Sequence, residues 1–318
     1  MGFKGLFSYK SPDIQIMIVI FDKDMVPDIH IFATGIHSKE WASCEGSINL
    51  LYWMSDCSLK RGMNVKGKIA LITGSAKGLG KMTALSLADQ GCHIALNYVH
   101  SRSEAEALQA QIIAKGVRCI AVQADISKAE EIHALVAAVE TQLGHIDILV
   151  NNAGPFVRER RVFADYSEAE VQMLVQGNLL GPMILDQLVL PEMRRKQWGR
   201  IIHFGFSHAG EARSWPHRAV YAAAKVGLVS FTKTLAVEEA PYGITVNMVC
   251  PGDIRGANKE KTINDIANIP DKETPRGRPG SGEDIARVIT YLCLDHSDFI
   301  TGNIMDVSGG LDPIRPTI

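Results

Sequence analysis

From Ile69 onward the chain repeats one pattern: a short continuous run of Val, Ile, Leu and Ala, a turn, then a helical segment. The apolar runs fall at Ile69–Thr73, Ile94–Tyr98, Val117–Gln123, Ile146–Asn151, Arg200–Phe204, Ile244–Val249 and Asn303–Val307. Between them the helical period covers Leu79–Gln90, Ser103–Lys115, a segment opened by Ser127, a long stretch from Ser167 towards Lys196, Ala219–Glu239 and Glu283–Leu294. Ser127 with Glu130, and Ser167 with Glu170, have the spacing of capping boxes. Runs that are apolar without alternation ask for burial on both faces. Parallel neighbours need a long crossover, which a helix supplies.

The expected fold is therefore α/β: a doubly wound (Rossmann), mostly parallel seven-stranded sheet with helices on both faces. In such a sheet ligands lie at the carboxyl ends of the strands, where the strand order reverses. Residues 63–318 have the length of one such domain. Residues 1–62 show no clear helix or strand period and are expected to be a poorly ordered extension, or the product of a start placed ahead of Met63. An oligomerisation or membrane-association arm is the alternative.

Hydrophobic residues make up 46% and the formal net charge is −2, without the basic excess of a nucleic-acid-binding protein. Cys44, Cys57, Cys92, Cys119, Cys250 and Cys293 are scattered and contain no C-x-x-C pair, which suits a reducing, cytoplasmic setting without a zinc site. No run reaches the ~18 apolar residues of a membrane span. Ile14–Phe21 has the length of a signal-peptide core, but Asp13 precedes it and no small-residue cleavage site follows closely. No membrane and no metal is expected.

The first run leads into Thr73-Gly74-Ser75-Ala76-Lys77-Gly78-Leu79-Gly80 and then a helix. Glycines permit positive φ and close backbone approach, and the new helix offers its first N–H groups to an anion. Between a buried strand and a helix, this spacing marks a dinucleotide pyrophosphate site.

The turn resembles that of the short-chain dehydrogenase/reductase family, and three further motifs carry the likeness. These are Asn151-Asn152-Ala153-Gly154 after the fourth run, Tyr221-Ala-Ala-Ala-Lys225, and Pro251-Gly252 after the sixth. Together they span about residues 63–310, and the chain is most similar to 3-oxoacyl-[acyl-carrier-protein] reductase-like members. The resemblance implies hydride transfer to or from a carbonyl carbon, on a ketone or an acyl thioester, by a homo-oligomer (tetramer or dimer). It also implies cofactor contacts from Thr73, Gly74, Ser75, Lys77, Gly78, Leu79, Gly80, Tyr98, Ser101, Arg102, Asp125, Ile126, Asn152, Ala153, Gly154, Tyr221, Lys225, Pro251 and Gly252. Asp125 would face the adenine or simply begin a helix.

The second run ends Asn97-Tyr98-Val99-His100-Ser101-Arg102, with no acid to hold a ribose 2′-hydroxyl. Ser101, Arg102 and Lys77 could hold a 2′-phosphate, so NADP(H) is expected over NAD(H), unless both cations are ordinary surface charges.

Tyr221 and Lys225 share one helix face, ~5–6 Å apart. A phenol near pKa 10 needs ~4 kcal/mol of stabilisation to titrate near 7, and an adjacent ammonium with an oxidised nicotinamide is expected to supply it. Tyr221 is then the general acid/base. The resemblance implies that Asn178 carries a water-mediated relay to Lys225; a structural residue beside Gly177 is the alternative. It also implies a serine donor near the end of the fifth run. Counting forward from Arg200 that position is Phe206, and counting back from Tyr221 it is His208, with Ser207 between. Ser207 is taken as the donor, with His208 as the substitute. The family's threonine after Pro-Gly is replaced by Gly256.

Residues 253–282 read as a loop over the pocket. Arg158-Glu159-Arg160-Arg161 and Arg194-Arg195-Lys196 could attract an acidic carrier protein or be solvated charges. An NAD-dependent alcohol or steroid dehydrogenase, and a non-catalytic dinucleotide-binding sensor or scaffold, remain as alternatives.

Overall fold

A computed structural model describes the backbone of residues 2–10, 14–22, 28–35 and 42–43, and residues 65–312 with their side chains. The chain divides into two compact units, residues 1–62 and 63–318. In the first, β1 (Gly2–Lys10), β2 (Ile14–Asp22), β3 (Asp28–Gly35) and β4 (Ala42–Ser43) form an antiparallel sheet in chain order. No strand period is legible in the sequence of this unit. β2, Ile-Gln-Ile-Met-Ile-Val-Ile-Phe-Asp, is apolar at nearly every position and so has no alternation to display.

The second unit runs β5 (Ile69–Ile72), α1 (Gly78–Asp89), β6 (His93–Tyr98), α2 (Arg102–Ile113), β7 (Cys119–Gln123), α3 (Ala129–Gln142) and β8 (Ile148–Asn151). It continues with α4 (Glu168–Val175), α5 (Gly181–Lys196), β9 (Gly199–Phe204), α6 (Ala219–Glu239), β10 (Ile244–Pro251), α7 (Ile263–Ile266), α8 (Gly282–Cys293) and β11 (Ile304–Val307). The seven strands pair in the order β11-β10-β9-β8-β5-β6-β7, all parallel. The order reverses between β5 and β8, which opens a crevice at their carboxyl ends. β5 shows why its run has no alternation: Ala70 and Ile72 enter one core with Leu87, Leu108 and Ile289, while Ile69 and Leu71 enter the other with Leu135, Val189 and Leu235.

Several local expectations shift. Ser127 does not cap α3; its N–H and hydroxyl both donate to Asp125 Oδ1, at 2.9 and 2.8 Å, and the helix starts at Ala129. Ser167 and Glu170 do form the capping box. The long helix is interrupted by a π-helical turn at Gln176–Leu180. Residues 253–282, read as loop, contain a 3₁₀ turn at Gly256–Glu260 and the capped helix α7. Stretches 168–196 and 219–242 have the length and hydropathy of membrane spans; half of each is buried against the protein, which accounts for their apolar character.

A buried polar chain ties four elements together. Asn151 Nδ2 on β8 donates to Asp186 Oδ1 on α5 at 2.8 Å; Asp186 Oδ2 meets His203 Nε2 on β9 at 2.8 Å. His203 Nδ1 meets Thr232 Oγ1 on α6 at 2.7 Å. Asp186, His203 and Thr232 have no exposed surface. A buried polar group left without its partner retains its full desolvation cost. Asp186→Ala is therefore expected to lower stability by about 3 kcal/mol, read from urea unfolding.

Candidate active site

The glycine turn is fastened before any ligand arrives. Thr73 Oγ1 accepts from the N–H groups of Asn152 and Ala153, both at 3.0 Å, and Asn152 Nδ2 donates to Thr73 O and Gly74 O at 2.8 and 3.0 Å. These bonds join the ends of β5 and β8 across the crevice. A Cβ on Gly80 would lie 2.7 Å from Gly74 O and from Asn152 Nδ2, so the turn closes only over glycine. Asn97, at 1% exposure on β6, was not identified from sequence as a site residue. Its Oδ1 accepts from Gly74 N–H at 3.1 Å, its N–H donates to Ser75 Oγ at 3.1 Å, and its Nδ2 donates to Ala124 O at 2.9 Å. An amide inside an apolar strand end was the available signal.

At the first turn of α1, Gly78 N–H and Lys81 Nζ both hold the Glu260 carboxylate, at 2.8 and 2.7 Å. The helix start thus already carries an anion, which is the chemistry a pyrophosphate brings. Lys77 is not free: its ammonium pairs with Glu104 at 2.5 Å. Arg102 and Ser101 begin α2, where Arg102 is exposed. Tyr98 is buried with Ala76 and Ala105. Asp125 turns its carboxylate to Ser127, and Ile126 is buried.

A cleft of about 370 Å³ lies at the crevice, lined by Leu79, Asn152, Gly154, Asn178, Tyr221, Lys225, Pro251 and Gly252 among others. α6 brings Tyr221 and Lys225 to it on one face, with Lys225 Nζ 5.9 Å from the Tyr221 ring centroid. The π-helical turn swings Asn178 into the same place: Nδ2 donates to Pro155 O at 2.8 Å and Leu174 O at 3.0 Å. Its Oδ1 is buried with no partner. A Cβ built on Gly154 would lie 2.3 Å from that oxygen and 3.7 Å from Lys225 Nζ, so glycine keeps the two in reach of one another. A buried acceptor left open beside an ammonium is the donor–acceptor pair that an ordered water bridges.

The electrostatics differ from the expectation. Burial pushes the Tyr221 phenol well above its usual range, with the Cys250 thiol adding to it. Burial also lowers Lys225 to about 8, which Cys250 partly opposes. Desolvation dominates both groups. The phenol is held as a proton donor rather than a base.

The donor expected at Ser207 is not brought to the cleft. Ser207 is fully buried, its Oγ has no partner, and its N–H donates to Pro251 O at 3.2 Å. His208 turns away, Nδ1 meeting Glu211 at 2.8 Å. Phe206 faces the cleft instead, joined by Phe156 and Trp215. The lengthened connection presents Trp215, and His208, Ala212 and His217 adopt left-handed φ of 65°, 51° and 66° to do so. Each costs a non-glycine residue roughly 1 kcal/mol. The alternating positions after a strand were legible; the coiled loop that exchanges them was not.

The cations considered for a carrier protein are mostly engaged internally. Arg194 pairs with Glu239, Arg195 with Glu192, Lys196 with Asp147 and Arg161 with Glu170. Cys92, Cys119, Cys250 and Cys293 are free and buried, and burial raises all four thiols; Cys44 and Cys57 lie outside the described residues.

Fold, glycine turn and Tyr–Lys pair together define a nicotinamide-dependent oxidoreductase. The family profile described as enoyl-(acyl carrier protein) reductase matches residues 74–312. A Bacillus thuringiensis structure described as a candidate 3-oxoacyl-reductase is 46% identical with a TM-score of 0.72, covering 78% of this chain and 99% of its own. The 3-oxoacyl-[acyl-carrier-protein] reductase FabG of Staphylococcus epidermidis is 37% identical over 244 residues, 77% of this chain and 98% of that protein. A blue fluorescent protein from a metagenomic library, solved with NADPH, is 30% identical with a TM-score of 0.67, covering 78% of this chain and 98% of its own. The chain belongs to the short-chain dehydrogenase/reductase family, whose members use a nicotinamide dinucleotide.

Asn97→Ala removes the side-chain bonds to Gly74 N–H and Ala124 O that tie the cofactor turn to the ends of β6 and β7. It is expected to cost about 2 kcal/mol of stability in urea unfolding and to weaken dinucleotide binding in a fluorescence titration.

Proposed function

We propose that the chain is an NADPH-dependent reductase that converts a ketone or 3-oxoacyl-type carbonyl to an alcohol. The observation that carries this is the meeting, in one cleft, of the Tyr221–Lys225 pair, the open Asn178 oxygen and the dinucleotide turn. The bound cofactor supplies the hydride. Tyr221, kept protonated by burial, donates to the carbonyl oxygen as charge develops on it. Lys225 then faces the phenolate, and Asn178 Oδ1 is placed to accept from a water that returns the proton through Lys225.

NADPH is favoured over NADH because β6 ends without an acid and is followed by Ser101 and the exposed Arg102. The relative solved with NADPH supports the same reading. We read the protein as a cytoplasmic homo-oligomer, a tetramer or dimer; a groove of about 470 Å³ along α5 and α6, lined by Leu180, Met183 and Phe231, supports association through those helices. The working domain is taken as residues 63–318. A non-catalytic sensor draws on the displaced serine, with Phe206 at the position counted forward from Arg200, and on Gly256 in place of the family's threonine.

Tyr221→Phe is expected to lower kcat/KM for ketone reduction by at least about 100-fold while NADPH still binds; turnover that persists in this variant removes the mechanism. Because Lys225 sits at about 8, its ammonium is lost as pH rises through that value, so kcat/KM for reduction should be level below and fall above about pH 8. Glu260→Gln frees the first turn of α1 from a competing anion, and NADPH should bind up to about fivefold tighter by calorimetry. Removing residues 1–62 should leave kcat and KM unchanged.

A further inference from the structure

We infer that the substrate side of the cleft takes a flat, aromatic carbonyl compound, an aryl ketone or aryl β-keto ester, in preference to a flexible aliphatic acyl chain. This rests on the carbonyl reduction proposed above.

Tyr221 is surrounded by rings. Phe156 meets it edge to face at 4.9 Å and 88°, Trp215 at 6.0 Å and 75°, and Phe206 at 6.1 Å. Phe206 and Trp215 also contact each other, at 4.8 Å. All four residues line the same cleft. A carbonyl whose oxygen reaches the Tyr221 hydroxyl must lay its substituents against these rings. An aryl group gains matched face-and-edge contacts there, whereas an alkyl group gains area alone.

The walls are also set in advance. The Arg218 guanidinium lies over Phe156, 4.8 Å from its centroid, and donates to Glu159 O, His217 O and Arg158 O at 2.8, 2.9 and 2.9 Å. It thereby links the segment carrying Phe156 to the loop carrying Trp215. A fixed aromatic wall favours a rigid ligand, because an alkyl chain must give up torsional freedom to lie along it.

The test uses the full chain with saturating NADPH and two β-keto esters, ethyl benzoylacetate and ethyl 3-oxohexanoate, which share the reacting group. The aryl ester should have a kcat/KM about tenfold higher. Trp215→Leu and, independently, Phe156→Leu at its half-exposed site should remove that preference through a raised KM for the aryl ester. An equal or reversed preference in the wild type, or one untouched by both substitutions, overturns the inference while carbonyl reduction stands. If neither ester is reduced, titration of the NADPH-loaded protein with each ester by calorimetry decides. Tighter binding of the aryl ester upholds the inference and removes the catalytic reading; equal or absent binding removes the inference too.

Discussion

The structure depends on the seam between β5 and β8. Parallel strands diverge there because the order of the sheet reverses, and the divergence exposes backbone groups that no neighbouring strand can satisfy. Thr73 and Asn152 satisfy them with side chains: one hydroxyl accepts two N–H groups, and one amide donates to two carbonyls. Asn97 continues the seam to β6 and Ala124, and the Asn151–Asp186–His203–Thr232 chain continues it to β9, α5 and α6. At the crevice, side chains thus take over the pairing that neighbouring strands supply elsewhere in the sheet.

That fastening sets the site's electrostatics. Tyr221 and Lys225 stand on the inward side of α6, and both lose water there. Desolvation disfavours the phenolate and the ammonium alike, which tightens the phenol's hold on its proton and loosens the amine's. A neutral phenol beside an amine that titrates near neutrality is poised to pass a proton outward and to receive one from behind. Asn178 stands behind because five residues of a long helix take a π-helical turn, a distortion typical of functional positions.

Much of this was legible in the chain itself. The two-faced burial of β5 follows from its unbroken apolar run, and the capping box at Ser167 formed as its spacing indicates. The Ser127 box did not, because Asp125 offered its hydroxyl and N–H a nearer acceptor. β2 was not read as a strand because its apolar run lacks the alternating helical segments that mark the strands from Ile69 onward. Ser207 could be narrowed by counting from either side, but counting cannot say which residue of a coiled loop faces inward. Backbone with positive φ at His208 reverses that choice.

Residue order alone determined the parallel sheet, the place of the glycine turn and the presence of Tyr221 and Lys225 on one helix face, since each follows from local periodicity and the covalent reach of a few residues. Only the tertiary structure decided that Glu260 answers the start of α1, that Glu104 holds Lys77, and that Phe206, Phe156 and Trp215 wall the cleft. The two carboxylate meetings join residues 182 and 27 positions apart, and separations of that size are set by how the layers pack rather than by any pattern within one segment.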